Sequence, residues 1–208
     1  MLEIDLNNET KVGLLYALKS FTLLATGDIK LPVKRQSEDE MEPKSRQAAV
    51  HLTRLPDMAS FQKKAPFILH QAVTSEDALK NANRGTGLQI RRELNSEAVI
   101  RSVFCVYHPD EEKGGLELLN LMETMRVGLL LRPLLDNKFE LDMDEGISQM
   151  VYPETGERGT APYYLGEMVT TWKLPQIKRL DAARVTQGLP PVDPKATHYT
   201  TTITEKGL

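Results

Sequence analysis

Apolar residues recur along this chain with two periods, and the switches between them divide it into elements. Leu14, Leu18, Phe21 and Ala25 fall at i, i+4, i+7 and i+11, one face of a 3.6-residue repeat, which predicts a helix over 8–26. Asn7 or Asn8 is placed to cap its start, and Gly27 to take the left-handed turn after its end. Residues 66–73, PFILHQAV, predict a strand opened by a proline. A polar connection, SEDALKNANRGTGLQIRRELNSE, follows it. Residues 97–107 then alternate, with Val99, Val103, Cys105 and Tyr107 on one side and Ala98, Ile100, Phe104 and Val106 on the other. Apolar residues on both sides predict a central strand covered on both faces. Arg101, in the middle of it, requires a carboxylate or a sheet edge nearby.

The rest of this region completes a small scaffold. Leu118, Met122, Met125 and Leu129, widened by Leu119 and Leu121, make the buried stripe of a helix over 116–132, stopped by Pro133. Segments 138–141 and 147–152 read as short strands around an acidic turn with Asp142, Asp144, Glu145 and Gly146. The final strand, 163–174, places Tyr164, Met168, Trp172 and Leu174 on one face and Tyr163, Glu167, Thr171 and Lys173 on the other. The predicted fold is α/β of the α+β type: one domain over 1–177, with a small, mixed, largely antiparallel sheet and helices packed on it. Trp172, Met168 and Tyr164 are expected to pack against Leu118, Met122 and Met125.

Two segments break the pattern. Residues 28–64 are polar, carry three prolines and mix both charge signs, so they cannot bury much apolar surface by themselves. Residues 178–208 form a Pro-rich extension ending in the β-prone HYTTTIT, and a lone strand needs a sheet edge to join. Both are expected to act as extended arms that reach neighbouring subunits.

Composition narrows the function classes. Hydrophobic residues at 40% and charged residues at 26% describe an ordinary globular chain, and a net charge of −3 supplies no field to attract nucleic acid. Its basic pairs are scattered and do not interleave with aromatics. The single cysteine, Cys105, excludes an intramolecular disulfide and points to a reducing compartment. No apolar run approaches a membrane span, and MLEIDLNNET lacks the regions of a signal peptide, so synthesis in the cytoplasm is expected.

No residue set predicts chemistry: catalytic, cofactor-binding and metal-ligating residues are all expected to be none. His51, His70, His108 and His198 lie far apart and lack ligand spacing; each reads as a surface or singly hydrogen-bonded histidine. Cys105 sits among apolar neighbours as a small hydrophobe. Gly85-Thr86-Gly87 lacks the remaining elements of a phosphate loop. The acidic turn lacks the terminal glutamate of a calcium loop. Asp110, Glu111 and Glu112 complement a helix N-terminus.

Three local patterns carry a likeness. VIRSVFCVYHPDEEKGG runs straight into LELLNLMETMRVGLLLRPLL. The FELD…ISQMVYPET hairpin follows. PYYLGEMVTTWKLPQI closes the region, and KKAPFILHQAV fits as the earlier strand. Together these resemble the tail terminator proteins of long-tailed bacteriophages, over about half the chain. The resemblance implies a virion structural protein and not an enzyme. It implies a homo-oligomeric ring, usually a hexamer, at the head-proximal end of the tail tube. Its implied partners are the tail tube protein and the head–tail connector or head-closure protein, with genomic DNA passing the lumen unbound and no membrane. Another neck protein, such as a head-closure or tail-completion factor, is the alternative within that machine; a small-molecule enzyme with a loop-built site is the alternative outside it.

Overall fold

The computed structural model describes residues 10–34, 44–55, 65–81, 92–152 and 161–175. All of them belong to one unit spanning Leu6–Pro175. Its helices among the described residues are α1 (Lys11–Ala25) and α2 (Glu111–Leu131). Its strands are β1 (Leu31–Pro32), β2 (Ser45–Arg46), β3 (Ala49–Leu52), β4 (Phe67–Asn81), β5 (Arg92–Tyr107), β6 (Leu134–Leu135), β7 (Phe139–Leu141), β8 (Ile147–Val151) and β9 (Tyr163–Lys173). The main sheet runs β3-β4-β5-β9-β7-β6, with β8 also pairing β9; β1 and β2 form a separate ribbon. Among the described strands only β3–β4 is a parallel pair, so the fold is the expected mixed, largely antiparallel α+β arrangement.

β5 lies between β4 and β9, and over Ala98–Val106 it sends buried residues to both faces. Ala98, Ile100, Phe104 and Val106 join the main core, while Cys105 joins a second cluster with Phe67, Leu69 and Tyr163. Both helices contribute to the main core: Leu14 and Leu18 from α1, and Leu118, Leu121, Met122, Met125 and Leu129 from α2. Tyr164, Met168 and Trp172 of β9 share that core, as the alternation predicts. Arg101 finds its carboxylate on the opposite face, where its guanidinium donates to Glu167 at 2.6 Å and to the Tyr152 hydroxyl at 3.1 Å.

Two glycines set how closely α2 lies on β9. A Cβ at Gly166 would stand 2.6 Å from Met122 Sδ, and one at Gly114 would stand 2.1 Å from the Tyr164 ring. Such approaches lie well inside van der Waals contact.

The element bounds correct several expectations. α1 starts at Lys11, capped by Thr10, whose hydroxyl accepts from the Val12 N–H at 3.3 Å; Asn7 and Asn8 lie outside the described residues. Gly27 does not take the left-handed conformation. The helix ends instead on Thr26 (φ −103°), which donates from both its N–H and its hydroxyl to the Thr22 carbonyl. α2 starts at Glu111 and not at 116, because the Asp110 carboxylate accepts from the Lys113 N–H and thereby caps a turn that leads through both glycines.

The polar connection after residue 73 is strand on both sides. β4 and β5 pair from Phe67↔Cys105 out to Asn81↔Arg92, with a bulge at Val73. Beyond Glu97, β5 no longer pairs with β9, so the last rungs form a two-stranded ribbon leaving the sheet. Backbone pairing sets this ribbon, which is why the lack of an apolar alternation concealed it. Residues 28–64 are also more than a polar excursion. They supply β1, β2 and the edge strand β3, and Leu31, Ala48 and Val50 are buried. The remainder of that insertion, 35–43 and 56–64, and the arm at 178–208 with its HYTTTIT segment lie outside the described residues.

Candidate functional site

The most developed polar constellation lies inside the core. His70 of β4 is fully buried. Its Nε2 is 3.0 Å from Thr22 Oγ1 on α1, and its Nδ1 is 2.8 Å from Ser102 Oγ on β5. The Thr22 hydroxyl donates to the Leu18 carbonyl at 2.7 Å, so it accepts from His70, which places the imidazole proton on Nε2. Nδ1 then accepts from Ser102. Every polar atom of this trio is satisfied with the ring neutral, and burial pushes the imidazole down to about 3. Serine beside histidine is the pairing of a nucleophile and its base. Here no substrate could reach either group, since Ser102 and Thr22 are as buried as His70. The trio fastens α1 to the sheet. His70 therefore departs from the expected surface or singly bonded histidine, and the signal was its place two residues after Ile68 on the core-facing side of the strand.

The other residues singled out in the sequence stay apart. His51 meets the Phe67 ring edge-on at 6.4 Å. His108 Nε2 lies 3.8 Å from Glu117 Oε1; burial pushes the Glu117 carboxyl above its usual range against the pull of His108 and Lys113. Cys105 is sealed in the second cluster, where burial pushes its thiol up to about 12. In the acidic turn, Asp142 accepts from the Asp144 N–H and pairs with Lys173 at 3.3 Å. That is a braced turn. Gly85-Thr86-Gly87 and His198 lie outside the described residues. No group of three or more His, Cys, Asp or Glu able to hold a metal occurs among the described residues. No helix among them is long and apolar enough to cross a membrane.

The surface feature that sequence reasoning missed is a groove between α1 and α2. It has a volume of about 620 Å³ and is lined by Phe21, Leu24 and Ala25 on one side and by Val127, Gly128 and Leu131, with Glu123, Thr124 and Arg132, on the other. Leu24 and Leu131 are 71% and 77% exposed, and Tyr16, Leu23, Val127 and Leu130 on the same helices are also exposed. The signal was an excess of apolar residues: TLLA and VGLLL continue past the stripe that the core can absorb. Single exposed leucines need no explanation, but these lie together along one groove.

No protein-family model matches the chain, and no curated protein matches it.

Proposed function

We propose that this chain is a virion structural protein that forms a ring on the head-proximal end of a phage tail tube, ends tube polymerisation and presents the surface that joins the tail to the head connector. The observation that carries the assembly role is the apolar face left open on the helix layer, over a scaffold whose most developed polar trio is sealed from solvent. Such a face is suited to protein contact and poorly suited to turnover of a polar substrate. The resemblance of residues 97–177 to tail terminators directs that role to the tail. Its motif residues have physical roles on this fold. In YYLGEM, Tyr164 and Met168 fill the core, Gly166 admits Met122, and Glu167 holds Arg101. The β4–β5 ribbon that leaves the sheet suits a subunit that reaches a neighbour.

In this reading the ring is heterologous, one surface of each copy meeting a different surface of the next, and hexameric. Its partners are the tail tube protein and a connector or head-closure protein, and DNA passes the lumen without specific binding. Residues 178–208 serve as an arm to a neighbour. The mass of the purified chain, measured alone and with tail tubes, tests the proposal. A closed ring that caps tube ends is expected, and chains lacking 178–208 should enter particles less efficiently. A chain that stays monomeric even with tubes present overturns it.

A further inference from the structure

We propose that the outer edge of β8 is a strand-addition site, filled in the assembled protein by residues 198–204, HYTTTIT, from the arm of a neighbouring copy. The Tyr152 N–H donates to the Leu165 carbonyl at 3.0 Å. Bonding alternates residue by residue along an antiparallel ladder, so Met150 and Ser148 also bond to β9. The N–H and C=O groups of Ile147, Gln149 and Val151 therefore point to the other side. Among the described strands β8 pairs with β9 alone. A row of unpaired backbone groups is a template for another strand, and edges are ordinarily blunted by proline, charge or a bulge. ISQMV carries no charge and no proline, and its register with β9 is unbroken.

The other edges are short, closed or blunted. β6 offers two residues behind Pro133. On β3 the Leu52 carbonyl already accepts from the Thr53 hydroxyl and the Arg54 N–H, both at 2.7 Å. The β4–β5 ribbon carries Glu76, Asp77, Lys80, Arg92 and Glu93. β8 leaves apolar contact on both of its faces. Val151, on the side of the core, is 39% exposed, and Met150, on the opposite side, is 47% exposed.

The occupant follows from its sequence and its tether. HYTTTIT holds five β-branched residues and a tyrosine, with no proline, glycine or formal charge, and such a strand needs a sheet to join. The chain leaves the sheet at Leu174, whose N–H donates to the Ser96 carbonyl at 2.8 Å. It thus departs along β5, on the side of β9 opposite β8. Residues 175–197 come next, and that length reaches about 75 Å when extended, against about 40 Å across a domain of this size. Pro190, Pro191 and Pro194, just before the segment, favour an extended tether over a turn back. An arm that departs away from its own β8 and outreaches its own subunit suits a neighbour's edge. The inference rests on the ring reading for the presence of that neighbour, and it names the surface that the arm engages.

Disulfide trapping in the full chain tests this, since the native Cys105 is buried. Met150→Cys chains are co-expressed with chains that carry one new cysteine, placed in turn at each position of 198–204. At least one position should give a linked heterodimer on mild oxidation. Val151→Pro in the receiving chain removes an N–H that faces away from β9. It should lower that yield by about tenfold while leaving far-UV circular dichroism and the urea midpoint unchanged. Four outcomes overturn the proposal: no heterodimer at any position, an intrachain link in its place when both cysteines share one chain, Met150→Cys chains that link only to one another, or a yield that Val151→Pro leaves intact. Sedimentation of the same samples judges the ring separately. Rings of normal mass without the link would leave the ring reading alone standing. A linked heterodimer without rings would do the reverse.

Discussion

The indole Nε1–H of Trp172 donates to the hydroxyl of Thr170, 2.9 Å away and on the same face of β9. The largest side chain of the core therefore carries its own hydrogen-bond partner two residues upstream, and both are buried. Trp172→Ala should destabilise the fold by about 3–5 kcal/mol. Trp172→Phe should cost less than Trp172→Ala but leave Thr170 with only its long 3.5 Å contact to the Ile100 carbonyl. Urea unfolding monitored by far-UV circular dichroism measures both. A Trp172→Ala midpoint equal to wild type would show that the ring is not packed as described.

Gly114 reverses a general rule. In an exposed helix Gly→Ala gains about 1 kcal/mol. Here the added methyl would meet the Tyr164 ring at 2.1 Å, and overpacking of this kind costs about 1–3 kcal/mol. Gly114→Ala should therefore destabilise. In a double-mutant cycle with Tyr164→Ala the two changes should cost less together than their sum, by about 0.5–3 kcal/mol. Additive costs would mean that the ring yields freely.

His70 makes stability depend on acid. The unfolded imidazole takes up a proton below about 6.5, while the folded one resists until about 3. The unfolded state thus binds more protons throughout that window, and stability falls as pH drops through it. At pH 5 the loss is about 2 kcal/mol from this group. Urea midpoints at pH 7 and pH 5 measure it, with His70→Gln as the comparison. That variant should be less stable at pH 7 and show a smaller fall toward pH 5; an unchanged fall would assign the acid sensitivity elsewhere.

Cys105 should be inert in the folded chain. Its thiol is buried and pushed up to about 12, and thiolate is the reacting species. A chromogenic disulfide reagent should label it slowly in buffer and at once in strong denaturant. Rapid labelling in buffer would contradict its burial.

Legibility followed apolar periodicity. β5 and β9 announced themselves because Ala98, Ile100, Phe104 and Val106, or Tyr164, Met168 and Trp172, alternate without a break. Even the need of Arg101 for a carboxylate was readable from its position among apolar neighbours. The distal rungs of β4 and β5 were not readable, because a ribbon pairing through its backbone needs no apolar pattern. Nor was the role of residues 28–64, where Leu31, Ala48 and Val50 are too widely spaced to form a period. The His70 trio escaped for a different reason. Hydrogen bonds between Thr22, His70 and Ser102 join three separate elements, and no local window contains them. The α1–α2 groove is likewise a product of two helices that meet only in the fold.

That trio also orders events during synthesis. Thr22 leaves the ribosome 48 residues before His70 and 103 residues before Met125, whose sulfur its hydroxyl approaches at 3.5 Å. α1 is thus made well before the residues that fasten it. Until the sheet and α2 have emerged, Leu14 and Leu18 lack the core that covers them, and a nascent chain stalled before that point would present an unshielded helix to whatever binds apolar segments in the cell.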